Sequence, residues 1–190
     1  MEFIPRHFPD KLRFVNPAGT IGIVALWSPV EYVQKKFRDA GVDLDPATSP
    51  VAVIGNLYGE GFRYLLRNLL YNPQVDTLLL FGSDKAGSAA VVKNFFELGI
   101  ENFDTEIEYE ELDGFPDIRP VRVKGTQLVM DSLVTPESFS TPPDVILIDG
   151  IDADAASRAA GFLSGYRPKG PLNGDRIEIP VPEILPGTLP

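Results

Sequence analysis

From Ser49 to Gly99 the chain reads SPVAVIGNLYGEGFRYLLRNLLYNPQVDTLLLFGSDKAGSAAVVKNFFELG, and this stretch constrains the fold more than any other. Two short apolar runs, Val51 to Ile54 and Val75 to Phe81, are each followed by a turn of small residues and then by an apolar stripe at helical spacing. That is the pattern of two successive βα units. Consecutive strands separated by a helix pair in parallel, because the crossover returns the chain to the same end of the sheet. The expected architecture is therefore α/β: a single Rossmann-like or flavodoxin-like domain with a largely parallel sheet.

The flanking sequence extends the pattern in both directions. Gly19 to Trp27, with Ile21, Ile23, Val24, Ala25 and Leu26, has the continuous apolar character of a strand buried on both faces. Ser28-Pro29-Val30-Glu31 follows it and predicts a capping box, with Val30, Val33 and Phe37 on the buried face of a helix that stops at Gly41. In the next helix Phe62, Leu65, Leu66, Leu69 and Leu70 form the buried stripe. Arg63 and Arg67 share another face, expected to be solvated or salt-bridged, and Asn72-Pro73 ends the helix with Asn72 as a left-handed cap. Downstream, Asp144 to Asp149 predicts a further buried strand and Ala155 to Leu163 a helix ended by Gly165. Glu101 to Asp113 holds seven acids and no base; alternation of Thr105, Ile107 and Tyr109 with Glu106, Glu108 and Glu110 predicts a half-exposed strand with an acidic outer face. Val121 to Val134 is broken by Gly125 and Asp131 and receives no assignment. Met1 to Ala18, rich in Pro and aromatic residues, is expected to wrap over an edge. The domain is expected to span residues 1–165. Residues 166–190 form an extended Pro/Gly-rich tail, with Pro168, Pro171, Pro180, Pro182, Pro186 and Pro190, that docks on a partner through Ile177, Ile179 and Val181.

Composition narrows the chemistry. With no cysteine and one histidine, thiolate nucleophiles, disulfides, Cys-ligated zinc and iron–sulfur clusters are excluded, and no metal site is expected. A net charge of -10 argues against nucleic-acid and anionic-membrane surfaces, which need clustered Lys and Arg. No run approaches the ~20 apolar residues of a membrane span. The expected location is cytoplasmic.

The candidate ligand-binding residues lie in the two turns: Gly55, Asn56, Tyr58, Gly59 and Gly61 after the first strand, and Gly82, Ser83, Asp84, Lys85, Gly87 and Ser88 after the second. Glycines let a backbone approach a ligand closely, and the following helices direct free amides at it. At the carboxyl ends of parallel strands both turns stand on one rim, where α/β ligands bind. There Lys85 would face a phosphate or carboxylate and Asp84 a hydroxyl or ring nitrogen. Asp149, Asp152 and Asp154 form a second strand-end cluster of the kind that holds Mg²⁺ or a ribose. The same turns are also explained without a ligand, as tight turns with acids at helix starts.

The motifs SPVAVIGNLY, RNLLYNPQVDTLLLFG, GSDKAG and ELGI resemble the core of the corrinoid-carrying component of tetrahydromethanopterin S-methyltransferase, and of a domain family related to it. With GTIGIVALWS ahead of them they are also similar to the segment preceding the catalytic domain in some archaeal and phage-type thymidylate synthases. The resemblance covers residues 19–100. It implies the fold and a pocket in a module acting beside one-carbon or pyrimidine-nucleotide chemistry, with a pterin or folate, a pyrimidine nucleotide or a modified corrinoid as ligand. Where the corrinoid-carrying proteins have their cobalt-ligating histidine, this chain has Ser88, and a hydroxyl is a poor cobalt ligand. The catalytic cysteine of thymidylate synthase has no counterpart. Three functions are therefore expected in order: a small-ligand-binding module with a partner enzyme; a non-catalytic interaction protein, homo-oligomeric or bound to a partner; and a Mg-dependent nucleotide enzyme using Asp84, Lys85, Asp149 and Asp152.

Overall fold

The computed structural model describes residues 1–170 and 174–188. In chain order the strands are β1 Leu12–Phe14, β2 Ile21–Val24, β3 Val51–Gly55, β4 Thr77–Gly82, β5 Ile100–Asn102, β6 Pro120–Val123, β7 Val129–Asp131 and β8 Asp144–Asp149. The helices are α1 Val30–Asp39, α2 Gly61–Tyr71, α3 Ser88–Leu98 and α4 Ala153–Gly165. Five strands make one sheet in the order β1-β3-β2-β4-β8. Its last four are parallel, and β1 closes the edge antiparallel to β3. The other three strands form a small antiparallel sheet, β5-β6-β7.

Strand alternation divides the core into two layers. From β2, Ile21 and Ile23 point to the side packed by Val33 and Phe37 of α1 and Ala159 of α4. Val24 points the other way, to Phe62, Leu66 and Leu70 of α2, Val92 and Phe95 of α3, and Val121, Val123 and Met130 of the small sheet. Apolar residues at every position of β2 are thus required by burial on both faces. The order of the parallel strands reverses between β2 and β4, whose crossovers leave to opposite faces.

Several local expectations are corrected. The predicted capping box at α1 is absent: Pro29 occupies the cap with no side-chain hydrogen bond, and the buried Ser28 hydroxyl instead accepts the Ser83 N–H at 2.9 Å. Asn72 is not left-handed, with φ -126; its amide group is taken by Ile4 on both sides, accepting at 2.7 Å and donating at 2.8 Å. Strand β8 lies at the sheet edge and is only partly buried, with Leu147 52% exposed. Between Phe103 and Tyr109 the burial alternation holds, Tyr109 inward and Glu106 and Glu108 outward, but it shifts by one residue after Tyr109, leaving Glu110 half-buried and Glu111 exposed. No continuous strand forms there, because its partner is a single stretch of the C-terminal segment: Glu110 N–H donates to Glu183 O, and Leu185 N–H to Glu108 O, both at 2.9 Å. The unassigned stretch is the β6–β7 hairpin.

The Pro-rich segment after α4 lies against the same body. Ile177 N–H donates to Leu70 O at 3.0 Å, Ile179 packs on the core beside α2, and Arg67 Nε donates to Pro180 O at 2.7 Å. Pro171 and Pro190 lie outside the described residues.

Candidate functional site

Four strand ends, those of β2, β3, β4 and β8, stand at one rim of the sheet, as parallel pairing requires. The gap between the β2 and β4 turns, where the strand order reverses, is stitched shut. Trp27 N–H donates to Ser83 O at 3.1 Å and the Ser28 hydroxyl accepts from Ser83 N–H, while on its other side the β2 turn is tied to the β3 turn by Asn56 Nδ2, which donates to Leu26 O at 3.1 Å and to Ser28 O. Gly82, at φ 137, packs so closely that an added Cβ would overlap the Ala25 carbonyl oxygen. This turn needs glycine for close backbone approach between neighbouring loops.

In the second turn, Asp84 Oδ1 accepts the Ser88 N–H at 2.8 Å and Oδ2 the Ala89 N–H at 3.0 Å. The amides that would greet an anion at the start of α3 are therefore occupied by a carboxylate from the same turn. Gly87 supplies the left-handed residue, φ 72, from which α3 begins. Lys85 is exposed. Only parts of the two glycine turns face each other, Leu57 and Gly59 of the first and Ala86, Gly87 and Ser88 of the second, without Asp84 or Lys85. Together with Gly125 to Leu128 they border a hollow of about 370 Å³.

A larger cavity, about 500 Å³, opens on the other side of the first turn, between the sheet and α2. Gly55, Asn56, Tyr58, Gly59 and Gly61 all line it, whereas none of the β4-turn residues does. Its inner wall is apolar: Gly22 and Val24 of β2, Val53 of β3, Leu78 of β4, Leu65 and Leu69 of α2. The mouth is bordered by His7, Phe8 and Lys11 from the N-terminal segment and by Tyr58 and Glu60 from the turn. Asn68 pins that segment down, its Oδ1 accepting the Arg6 and His7 N–H groups at 2.8 and 3.2 Å. His7 and Phe8 rings meet the Tyr64 ring edge-on, with centroids 5.2 and 4.7 Å apart. Outside the mouth, the exposed Trp27 and Tyr58 rings lie 5.1 Å apart.

Electrostatics differ between mouth and interior. The His7 imidazole is held below its ordinary pKa of 6.5, first by burial and then by the guanidinium groups of Arg67, Arg6 and Arg63. Arg67 is no member of a solvated face. It is 1% exposed and pairs with the fully buried Asp131 at 2.7 Å, while Arg63 pairs with Glu60 at 3.4 Å. Burial, followed by the Asp131 charge, pushes the Tyr109 phenol up to about 12.

At β8 the Asp152 carboxylate caps α4 by accepting the Ala155 N–H at 2.8 Å. Among the described residues, no three of His, Asp and Glu gather where they could hold a metal ion. No helix of the described chain is long and apolar enough to cross a membrane.

Sequence reasoning missed His7, Phe8, Lys11, Tyr64 and the α2 wall as cavity residues. The N-terminal segment has no period to place it, and Leu65 and Leu69 look like ordinary core. One signal was available: Gly22 sits inside an otherwise bulky strand, a position that marks close approach of a backbone or a ligand. No protein-family model matches the chain, and no curated protein matches it.

Proposed function

We propose that this chain is a small-ligand-binding module of flavodoxin-like α/β type, whose ligand enters the cavity between the sheet and α2 with an apolar or aromatic body leading. The observation that carries the reading is the cavity itself, about 500 Å³ with an apolar floor and a polar mouth. Binding sites for small molecules have this size and this distribution of polarity. The flavodoxin-like assignment is supported by the strand order, which places the second parallel strand outside the first and the third and fourth on the other side. The role beside a one-carbon or thymidylate-type enzyme is supported by the resemblance over residues 19–100.

A thermal-shift panel of folate, thymidine monophosphate, cobalamin and apolar carboxylates and alcohols tests the reading. A ligand at a hundredfold excess over its Kd should raise the melting temperature by roughly 5–10 °C. Leu65→Trp, placing an indole in the cavity from a half-buried position, should remove the shift while the circular dichroism of the fold persists. A panel without a single shift sinks the proposal. Phosphate-led ligands are disfavoured by the Asp84 carboxylate at the start of α3, and Asp152 is similarly engaged at α4, which weighs against the Mg-nucleotide enzyme.

One observation favours a second reading, an interaction protein. Strand β8 ends the sheet with an apolar run and an exposed Leu147, and unprotected edges invite pairing. Light scattering should then show a dimer that Leu147→Lys dissociates; a monomer at all concentrations removes this reading.

A further inference from the structure

Within the cavity, polar anchors are distributed unevenly. The inner wall of Val24, Val53, Leu69, Val75 and Leu78 offers no hydrogen-bonding side chain. Asn68, on the α2 wall, is committed at both ends of its amide: it accepts from Arg6 and His7 and donates to His7 O at 3.3 Å. A ligand's inner part therefore gains only from leaving water, at roughly 25 cal/mol for each Å² of apolar surface. A polar group buried there without a partner would cost more than that gain.

The mouth is different. Lys11 is exposed, and its ion-pair partner among the described residues is the equally exposed Asp10, 3.7 Å away, a contact worth little. His7 also lines the cavity; its imidazole pKa is lowered by burial first and then by Arg67, Arg6 and Arg63, guanidinium groups that are each paired with a carboxylate, Asp131, Glu178 and Glu60. Besides Asp10 there is the carboxylate of Glu60, which lines the cavity and is offset by Arg63. The chain carries -10 overall, which would repel an anion at long range. Screening confines such repulsion to about 8–10 Å at ordinary salt, so the Lys11 ammonium, held only by the loose contact with Asp10, decides. Glu60, also exposed and lining the cavity, counts against a doubly charged head group.

We infer that the ligand of this cavity is an amphipathic carboxylate, its apolar body against Val24, Leu69 and Leu78 and its single charge at the mouth between His7 and Lys11. This inference rests on the cavity reading above and specifies the chemical class that the cavity accepts. Lys11 supplies the ion pair, and the His7 imidazole, uncharged at neutral pH, supplies an N–H donor.

Calorimetric titration of the full chain with dodecanoate and with dodecanol, both below micelle-forming concentrations, separates the two levels of the argument. Dodecanoate should bind up to roughly fivefold more tightly than dodecanol, the ratio that one partly screened charge contact supports. Lys11→Glu, at an exposed position with no part in the core, should bring the dodecanoate-to-dodecanol affinity ratio down to one or below. Lys35→Glu on α1, remote from the mouth, should leave that ratio unchanged. Equal binding of the two amphiphiles, or carboxylate binding indifferent to Lys11→Glu, overturns the carboxylate assignment and leaves the cavity reading standing. Failure of both to bind, together with a thermal-shift panel that shows no response, overturns both.

Discussion

His7 is the only imidazole in the chain, and its neighbours make its titration a stability probe. Its folded-state pKa lies below the ordinary 6.5, through burial and then through Arg67, Arg6 and Arg63. As pH falls below 6.5 the unfolded chain takes up this proton before the folded one does. The contribution to stability is therefore complete above pH 6.5 and lost as pH falls through the lowered folded pKa. Melting curves across that window should show an acid-side decline that His7→Phe reduces; identical pH profiles for the two proteins would remove His7 from the account. Individual side chains were also where sequence reasoning reached least far. The turns that carry Ser28 and Asp84 are visible as strings of small polar residues. Yet a hydroxyl that caps a helix and one that ties two loops together have the same spelling, and only the packing of Gly82 against Ala25 decides between them.

Elements were far more legible, because periodicity reports burial directly. Among the described residues, α1, α2 and α3 and the four parallel strands fall where the 3.6-residue stripes and apolar runs place them, and α4 covers the expected Ala155 to Leu163. What periodicity could not reveal is why a cation should sit on a buried face, as Arg67 does on α2. Its guanidinium joins three parts of the molecule, donating to Asp131 at the end of β7 at 2.7 Å, to Pro180 O at 2.7 Å and to Arg63 O at 3.1 Å. Asp131 is fully buried, with Oδ2 lacking a hydrogen-bond partner. Removing one partner should leave a stranded charge, so Arg67→Met is expected to cost about 3–5 kcal/mol, a fall in melting temperature of roughly 6–20 °C. The double variant Arg67→Met/Asp131→Leu should recover most of that loss. Calorimetry of the three proteins checks it: a double variant no better than the single one would mean the pair is not what holds α2 to the small sheet.

For the molecule as a whole, the N-terminal and C-terminal segments support each other. Asn72 holds Ile4, Arg176 donates to Glu2 O and to Tyr71 O, and Arg6 pairs with Glu178. The C-terminal segment therefore acts on its own body, where composition alone suggested an arm for another protein; Pro and Gly content reveals an extended backbone but not what it lies on. A chain ending at Gly170 should melt at lower temperature and lose ligand response, since the segment carrying His7 and Lys11 would lose Arg176 and Glu178. Unchanged melting on truncation would contradict this. Because the lip of the cavity is clamped by contacts between opposite ends of the sequence, such as Arg176 to Glu2 O and Arg6 to Glu178, its closure carries the loop-closure entropy of nearly the whole chain, and the mouth is expected to form after the sheet and helices behind it.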